Sequence, residues 1–254
     1  MSQNGTSEFE RTGTVDVESP TLIEGFPGLG LVASIAVDQI TSQLDLDYYG
    51  QLRCAALPPV ASYNEGRVQD LVRVYAGSDP AVMTLQSDLM IPPSAFEQLT
   101  ACVLSDLSPE FDRAIFLAGA PARNEEEMGE VIGIATNDEM ESEVTEAGIE
   151  LADGSGLVGG ITGALVDACY EREIPAAVLV VKAHPQLPDP GSARAVIENA
   201  IEPLVDFDID TSELQEQSEQ IQAQLEQIAQ QYRQMTEQAQ QQGQPPTTGP
   251  SMYQ

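Results

Sequence analysis

A chain of 254 residues with 41 acidic and 10 basic side chains carries a formal charge of −31 at neutral pH. Such a surface repels nucleic-acid phosphates and anionic headgroups, which argues against nucleic-acid and membrane-surface roles. Its 42% apolar content is enough for a core of domain size, and no run reaches the ~18 unbroken apolar residues of a membrane helix.

The acids are spread through periodic, foldable segments rather than collected in one tail, and Lys182 is the sole lysine beside nine arginines. At molar salt the Debye length falls to about 3 Å, where self-repulsion on this scale becomes tolerable. The composition therefore predicts a protein of a salt-accumulating halophile that loosens in low salt. Residues 1–10 show no basic stretch followed by an apolar run, so a cytoplasmic protein is expected. Cys54, Cys102 and Cys169 are odd in number, far apart and set among apolar residues. They read as buried thiols rather than as a disulfide frame or a metal site.

In chain order, residues 1–13 are polar and expected to be frayed. Residues 21–26 read as a short strand, Gly25-Phe26-Pro27-Gly28-Leu29-Gly30 as a tight turn, and 31–44 as a helix through Leu31, Ile35, Val37 and Ile40. Apolar, β-branched runs at 71–75, 81–85, 114–118, 131–135 and 176–181, continuous rather than alternating in their hydrophobicity apart from Arg73 and Thr84, predict strands covered on both faces. Between them, Ser94 and Glu97 have capping-box spacing for a helix through Leu99 and Val103. Residues 156–171 place Leu157, Ile161 and Leu165 four apart, and 190–204 set Ala193, Val196, Ile197, Ala200 and Ile201 on one side. Alternating strands and helices predict an α/β domain over 14–209, a layered sheet with flanking helices.

Residues 210–242 change character. Leu214, Ile221, Leu225, Ile228, Tyr232, Met235 and Ala239 share one a/d register in a Gln- and Glu-rich helix, with Ser218 the polar exception. An amphipathic helix lying on its own domain and a coiled coil between subunits both fit. The second is favoured because the register holds for about four heptads with the other faces polar. Gly243 to Ser251, with Pro245, Pro246 and Pro250, stops the helix and reads as a tether over 243–254. It ends in Met252-Tyr253-Gln254, which offers an apolar plug, a ring with a hydroxyl handle and a carboxylate. That set suits a pocket between subunits of another assembly.

Three stretches carry a family resemblance: Glu24 to Val32, Gly156 to Leu165, and the run from Asp189 into the terminal helix. Over roughly 15–240 the chain resembles the proteasome assembly chaperone 2 family, and specifically its archaeal proteasome-binding members. The resemblance implies a nucleoside-phosphorylase-like α/β layer, homo-oligomerisation, no catalysis and no cofactor. It also implies a C-terminal hydrophobic-Tyr-any motif that inserts between α-subunits of the proteasome core particle, a role carried over to Met252, Tyr253 and Gln254. Methionine is a less usual hydrophobic choice there. Assembly help and ATP-independent gate opening both remain open as consequences.

The rival is a phosphorylase-like or ligase-type enzyme using nucleotide or phosphate at the glycine loops. A turn feeding a helix N-terminus can cradle phosphate. However, Gly25, Gly28 and Gly30 do not have dinucleotide-fingerprint spacing, and no Lys-Ser/Thr follows them. A second loop at Gly154, Gly156, Gly159 and Gly160 shares the ambiguity. His184, the sole histidine, lacks the partners of a metal or catalytic site and reads as a strand-end residue with a hydrogen-bonded ring. Asn124 to Glu127 reads as a solvated loop or helix start, without metal-ligand spacing.

Overall fold

The computed structural model describes residues 8–241. Its strands are β1 (Glu8–Arg11), β2 (Thr21–Gly25), β3 (Asp47–Arg53), β4 (Ser62–Asn64), β5 (Arg67–Gln69), β6 (Val72–Ser78), β7 (Ala81–Ser87), β8 (Arg113–Pro121), β9 (Val131–Ala135), β10 (Glu150–Leu151) and β11 (Ala176–Ala183). The helices are α1 (Val32–Gln43), α2 (Phe96–Cys102), α3 (Asp138–Glu146), α4 (Gly160–Glu171), α5 (Pro190–Val196), α6 (Glu202–Val205) and α7 (Ser212–Gln241). A five-residue π turn, Ile197–Ile201, joins α5 to α6.

Nine strands form one sheet in the order β1-β3-β6-β7-β2-β8-β11-β9-β10, and β4 pairs with β5 as a separate hairpin. The centre, β7-β2-β8-β11, is parallel. The flanking pairs β3-β6, β6-β7, β1-β3 and β9-β11 are antiparallel. Every residue of β2 is buried, as a strand covered on both faces requires. Alternation then divides the core. Leu22, Ala114, Phe116 and Val178 face α2 and α4, whereas Ile23, Ile115, Leu117 and Leu179 face α1, α3, α5 and the start of α7. The result is a mixed α/β fold with a large central sheet between two helical layers.

The expected strands at 21–26, 71–75, 81–85, 114–118, 131–135 and 176–181 are all present. Several other expectations need correction. Glu8–Arg11, expected to fray, pairs with β3, and Phe9 stacks on Tyr49 at 6.0 Å between ring centroids. The Ser94–Glu97 capping box does not form. Pro93 opens a 3₁₀ turn that contains Ser94, and α2 begins at Phe96 without a side-chain cap. Leu157 is outside α4, because Gly159 is extended and Gly160 has a φ of +73°. It is fully exposed.

Cys102 and Cys169 are buried free thiols, and burial raises both pKa values to about 12, while Cys54 is only half-buried. The Asn124 side chain caps the turn Glu125–Glu127, so the acidic run is a helix start.

Candidate functional site

The parallel strands β2, β8 and β11 end on one edge of the sheet, the edge where open α/β sheets place their ligand crevices. The turn after β2 and the loop before α4 meet there. Between them is a cavity of about 240 Å³ lined by Phe26, Gly28, Leu29, Val158, Gly159 and Ile161, with Ala118, Ala120 and Val180 contributed by the sheet.

Glu24, the penultimate residue of β2, joins the two loops. The Phe26 N–H donates to its Oε1 at 2.9 Å and the Thr162 hydroxyl to its Oε2 at 3.3 Å. The side chain has no exposed surface. Burial raises its pKa to about 8, against the lowering effect of these hydrogen bonds and one from the Leu117 backbone. At neutral pH it is therefore a neutral acid holding the loops together. Sequence reasoning read Glu24 only as part of a family motif. Its signal was an acid inside a strand expected to be buried on both faces, where an ionised group is costly.

The three glycines expected at this turn differ in role. A Cβ on Gly25 would lie 2.5 Å from the Val37 Cβ, so α1 packs directly on the end of β2. Gly30 has a φ of +66°, the left-handed region that glycine occupies without strain. A Cβ on Gly28 would meet nothing within 4 Å, and its φ of −141° suits any residue. Packing and backbone conformation thus account for Gly25 and Gly30 but not for Gly28.

His184 follows β11, and its Nδ1 accepts the Gln186 and Leu187 N–H groups at 3.2 and 3.1 Å, in keeping with a strand-end ring. Nearby, buried Asp189 caps α5 through Ser192 and accepts the His184 N–H at 2.8 Å. Its own N–H donates to the Gly30 carbonyl at 2.8 Å, so α5 is pinned to the glycine turn. Among the described residues no cluster of His, Cys, Asp and Glu could hold a metal ion.

The first turns of α7 lie along α5. Leu214 is 3% exposed within the domain core, and Ser218 sits 2.9 Å from where a Cβ of Gly191 would be. The helices cross closely here, so that a side chain at Gly191 would collide with Ser218. Leu214 is therefore used by its own domain and is unavailable to a partner helix. Ile221 is half-buried, Leu225 is 39% exposed and Ile228 63% exposed, so the seam emerges into solvent. Tyr232 and Met235 lie further along the helix, where side chains are outside the described part of the structure. Met252, Tyr253 and Gln254 also lie outside the described residues. A groove of about 750 Å³ separates α7 from the loops after β8 and β11, with Ile221 and Leu225 on its helical wall. No described helix is long and apolar enough to cross a membrane.

The PAC2 family model matches residues 22–229. The chain belongs to the PAC2 family. An uncharacterized protein from Methanocaldococcus jannaschii is 30% identical over 192 residues, 75% of this chain and 78% of the relative. The fold is similar to that of Pyrococcus furiosus PbaA, an archaeal homolog of proteasome-assembly chaperone, with a TM-score of 0.78 and 23% identity over 92% of this chain and 97% of PbaA. It is also similar to Pyrococcus furiosus PbaB, an archaeal proteasome activator, with a TM-score of 0.79 and 17% identity over 88% of this chain and 99% of PbaB. At these identities the two structures establish a shared fold.

Proposed function

We propose that this PAC2 chain is a non-enzymatic, cytoplasmic adaptor of the proteasome core particle. It acts as an assembly chaperone or as an ATP-independent activator, on an α/β layer of nucleoside-phosphorylase-like type. Copies associate through the part of the α7 seam that leaves the domain, Leu225, Ile228, Tyr232 and Met235, with half-buried Ile221 at its root. Each copy carries Met252-Tyr253-Gln254 to a pocket between α-subunits: the methionine fills a groove, the phenol finds a polar partner and the carboxylate pairs with a lysine. Several weak tails on one oligomer bind with avidity, because attachment of one raises the local concentration of the next.

The observation that carries this reading is the family match over residues 22–229 together with folds shared with PbaA and PbaB. The 30-residue α7 adds to it, since it spans about 45 Å and its seam emerges from the domain into solvent at Leu225 and Ile228.

The test is capture of core particles in molar salt by the intact chain, by Tyr253→Ala, and by a chain with one residue added after Gln254. The first variant removes the ring and the second displaces the carboxylate, so capture is expected to fall in both. Undiminished capture by both variants would remove the docking role from the tail.

A further inference from the structure

The cavity between the glycine loops contains two glycines that the fold does not require. Gly28 and Gly159 have φ of −141° and −105°, open to any residue, and a Cβ on either would meet nothing within 4 Å. In contrast, Gly163, one turn into α4, would place a Cβ 2.2 Å from the Val158 carbonyl oxygen and has an evident packing reason. Glycine in place of alanine costs roughly 0.5–1 kcal/mol of chain entropy where nothing demands it. Gly28 and Gly159 both line the cavity, whereas Gly156, whose Cβ would also meet nothing within 4 Å, lies outside it. Close approach of a ligand to bare backbone accounts for Gly28 and Gly159.

The only lysine of the chain, Lys182, follows the part of β11 that lines the cavity. Lys182 pairs in parallel register with Ala120 and lies two residues beyond Val180 on the same face of β11, and Ala120 and Val180 both line the cavity. The step from Val180 is about 7 Å along the strand, a distance the four-carbon stem of lysine spans. Every ion pair among the described residues is made by an arginine. Glu130 lies across from Lys182, whose N–H donates to the Glu130 carbonyl, without a side-chain ion pair. Within a chain of charge −31, the positive charge of half-buried Lys182 is a local attractor for an anion. Neutral Glu24 beneath the loops presents no opposing charge. Phe26, Leu29, Val158 and Ile161 give apolar walls, Thr162 is the polar lining residue with its hydroxyl donated to Glu24, and Leu157 in the lining is fully exposed.

We propose that this cavity binds a small organic monocarboxylate with a compact apolar body, its carboxylate paired with Lys182 and its body against the glycine backbones and Leu157. The site goes beyond the adaptor reading and is independent of it: Met252-Tyr253-Gln254 takes no part, and core-particle capture does not report on it.

The test is calorimetric titration of the full chain in molar KCl with phenylacetate, benzoate and 3-methylbutanoate, with phenylacetamide and inorganic phosphate as comparisons. The variants are Gly28→Val, which adds bulk at a lining position whose Cβ would meet nothing within 4 Å, and Lys182→Gln. Circular dichroism and the thermal midpoint verify that both fold. At least one carboxylate is expected to bind with a dissociation constant of about 1 mM or tighter, and about tenfold more weakly to either variant. Phenylacetamide and phosphate are each expected to bind more weakly than the carboxylates. Three results would overturn the proposal: no carboxylate binding up to about 10 mM, binding unchanged in both variants, or phosphate binding equal to that of the best carboxylate.

Discussion

A carboxyl group with no exposed surface, as in Glu24, makes the stability of the domain depend on pH. In the fold it keeps its proton to about pH 8, against 4.5 for the ordinary group. Between these values the folded state holds a proton that the unfolded chain has lost, so its stabilising contribution is complete below pH 4.5 and is lost as pH rises to 8. Each unit in this window removes up to about 1.4 kcal/mol. Glu24→Gln is neutral throughout and similar in shape. Denaturant unfolding from pH 5 to 9 should therefore show wild type losing a few kcal/mol relative to Glu24→Gln, with the largest gap at the alkaline end. Parallel curves for the two proteins would mean that Glu24 is ionised in the fold. This residue was hard to identify from sequence because its importance depends on Thr162, 138 residues away. A motif reading sees the glycines around Glu24 but not the hydrogen bond that gives the acid its role.

Among the elements, α7 was the most legible and also the one whose partner was least so. Heptad spacing identified a helix over 210–242, and the structure has Ser212–Gln241. Spacing alone cannot distinguish an intrachain seam from an interchain one, because both need the same apolar stripe. In this helix the stripe divides: Leu214 and Ser218 pack on the domain, while Leu225 and Ile228 do not. Leu214→Ala is expected to cost about 2–4 kcal/mol of unfolding free energy by opening a core cavity. Ile228→Ser should leave the domain midpoint within about 0.5 kcal/mol while shifting the sedimentation profile toward monomer. If Ile228→Ser left the assembly state unchanged, the seam would not be an interface. The missed elements have local causes. β1 is a four-residue edge strand of sequence EFER, with one apolar side chain to mark it. In β3, Tyr48, Tyr49 and Gly50 span a register shift that breaks the alternation. α3 carries acids through its first turn, and its buried face consists of only Met140 and Val144.

For the whole molecule, apolar runs located β8 and β11, because a strand buried on both faces has no polar side to confuse the pattern, whereas β2, with Glu24 inside it, was read as a short strand before the glycine turn. The strand order could not be read the same way, since it depends on which long-range pairings close the core. The charge of −31 acts at this scale as well. Raising KCl from about 0.1 M to 1 M shortens the Debye length from about 10 Å to about 3 Å, so the thermal midpoint should rise with salt. Circular dichroism at ~10 mM salt, where the length reaches about 30 Å, should show lost structure; a full native spectrum there would contradict the halophilic reading.

The central claim is that the chain reaches the core particle through its last residues. Its most direct measurement is equilibrium binding to immobilised core particles in molar KCl, comparing the full chain with one ending at Gln241. The account predicts that the shortened chain keeps its thermal midpoint and its assembly state but binds at least about 100-fold more weakly, as expected when multivalent attachment is lost. Equal binding by the two chains would contradict it and place any contact with the core particle on the α/β domain.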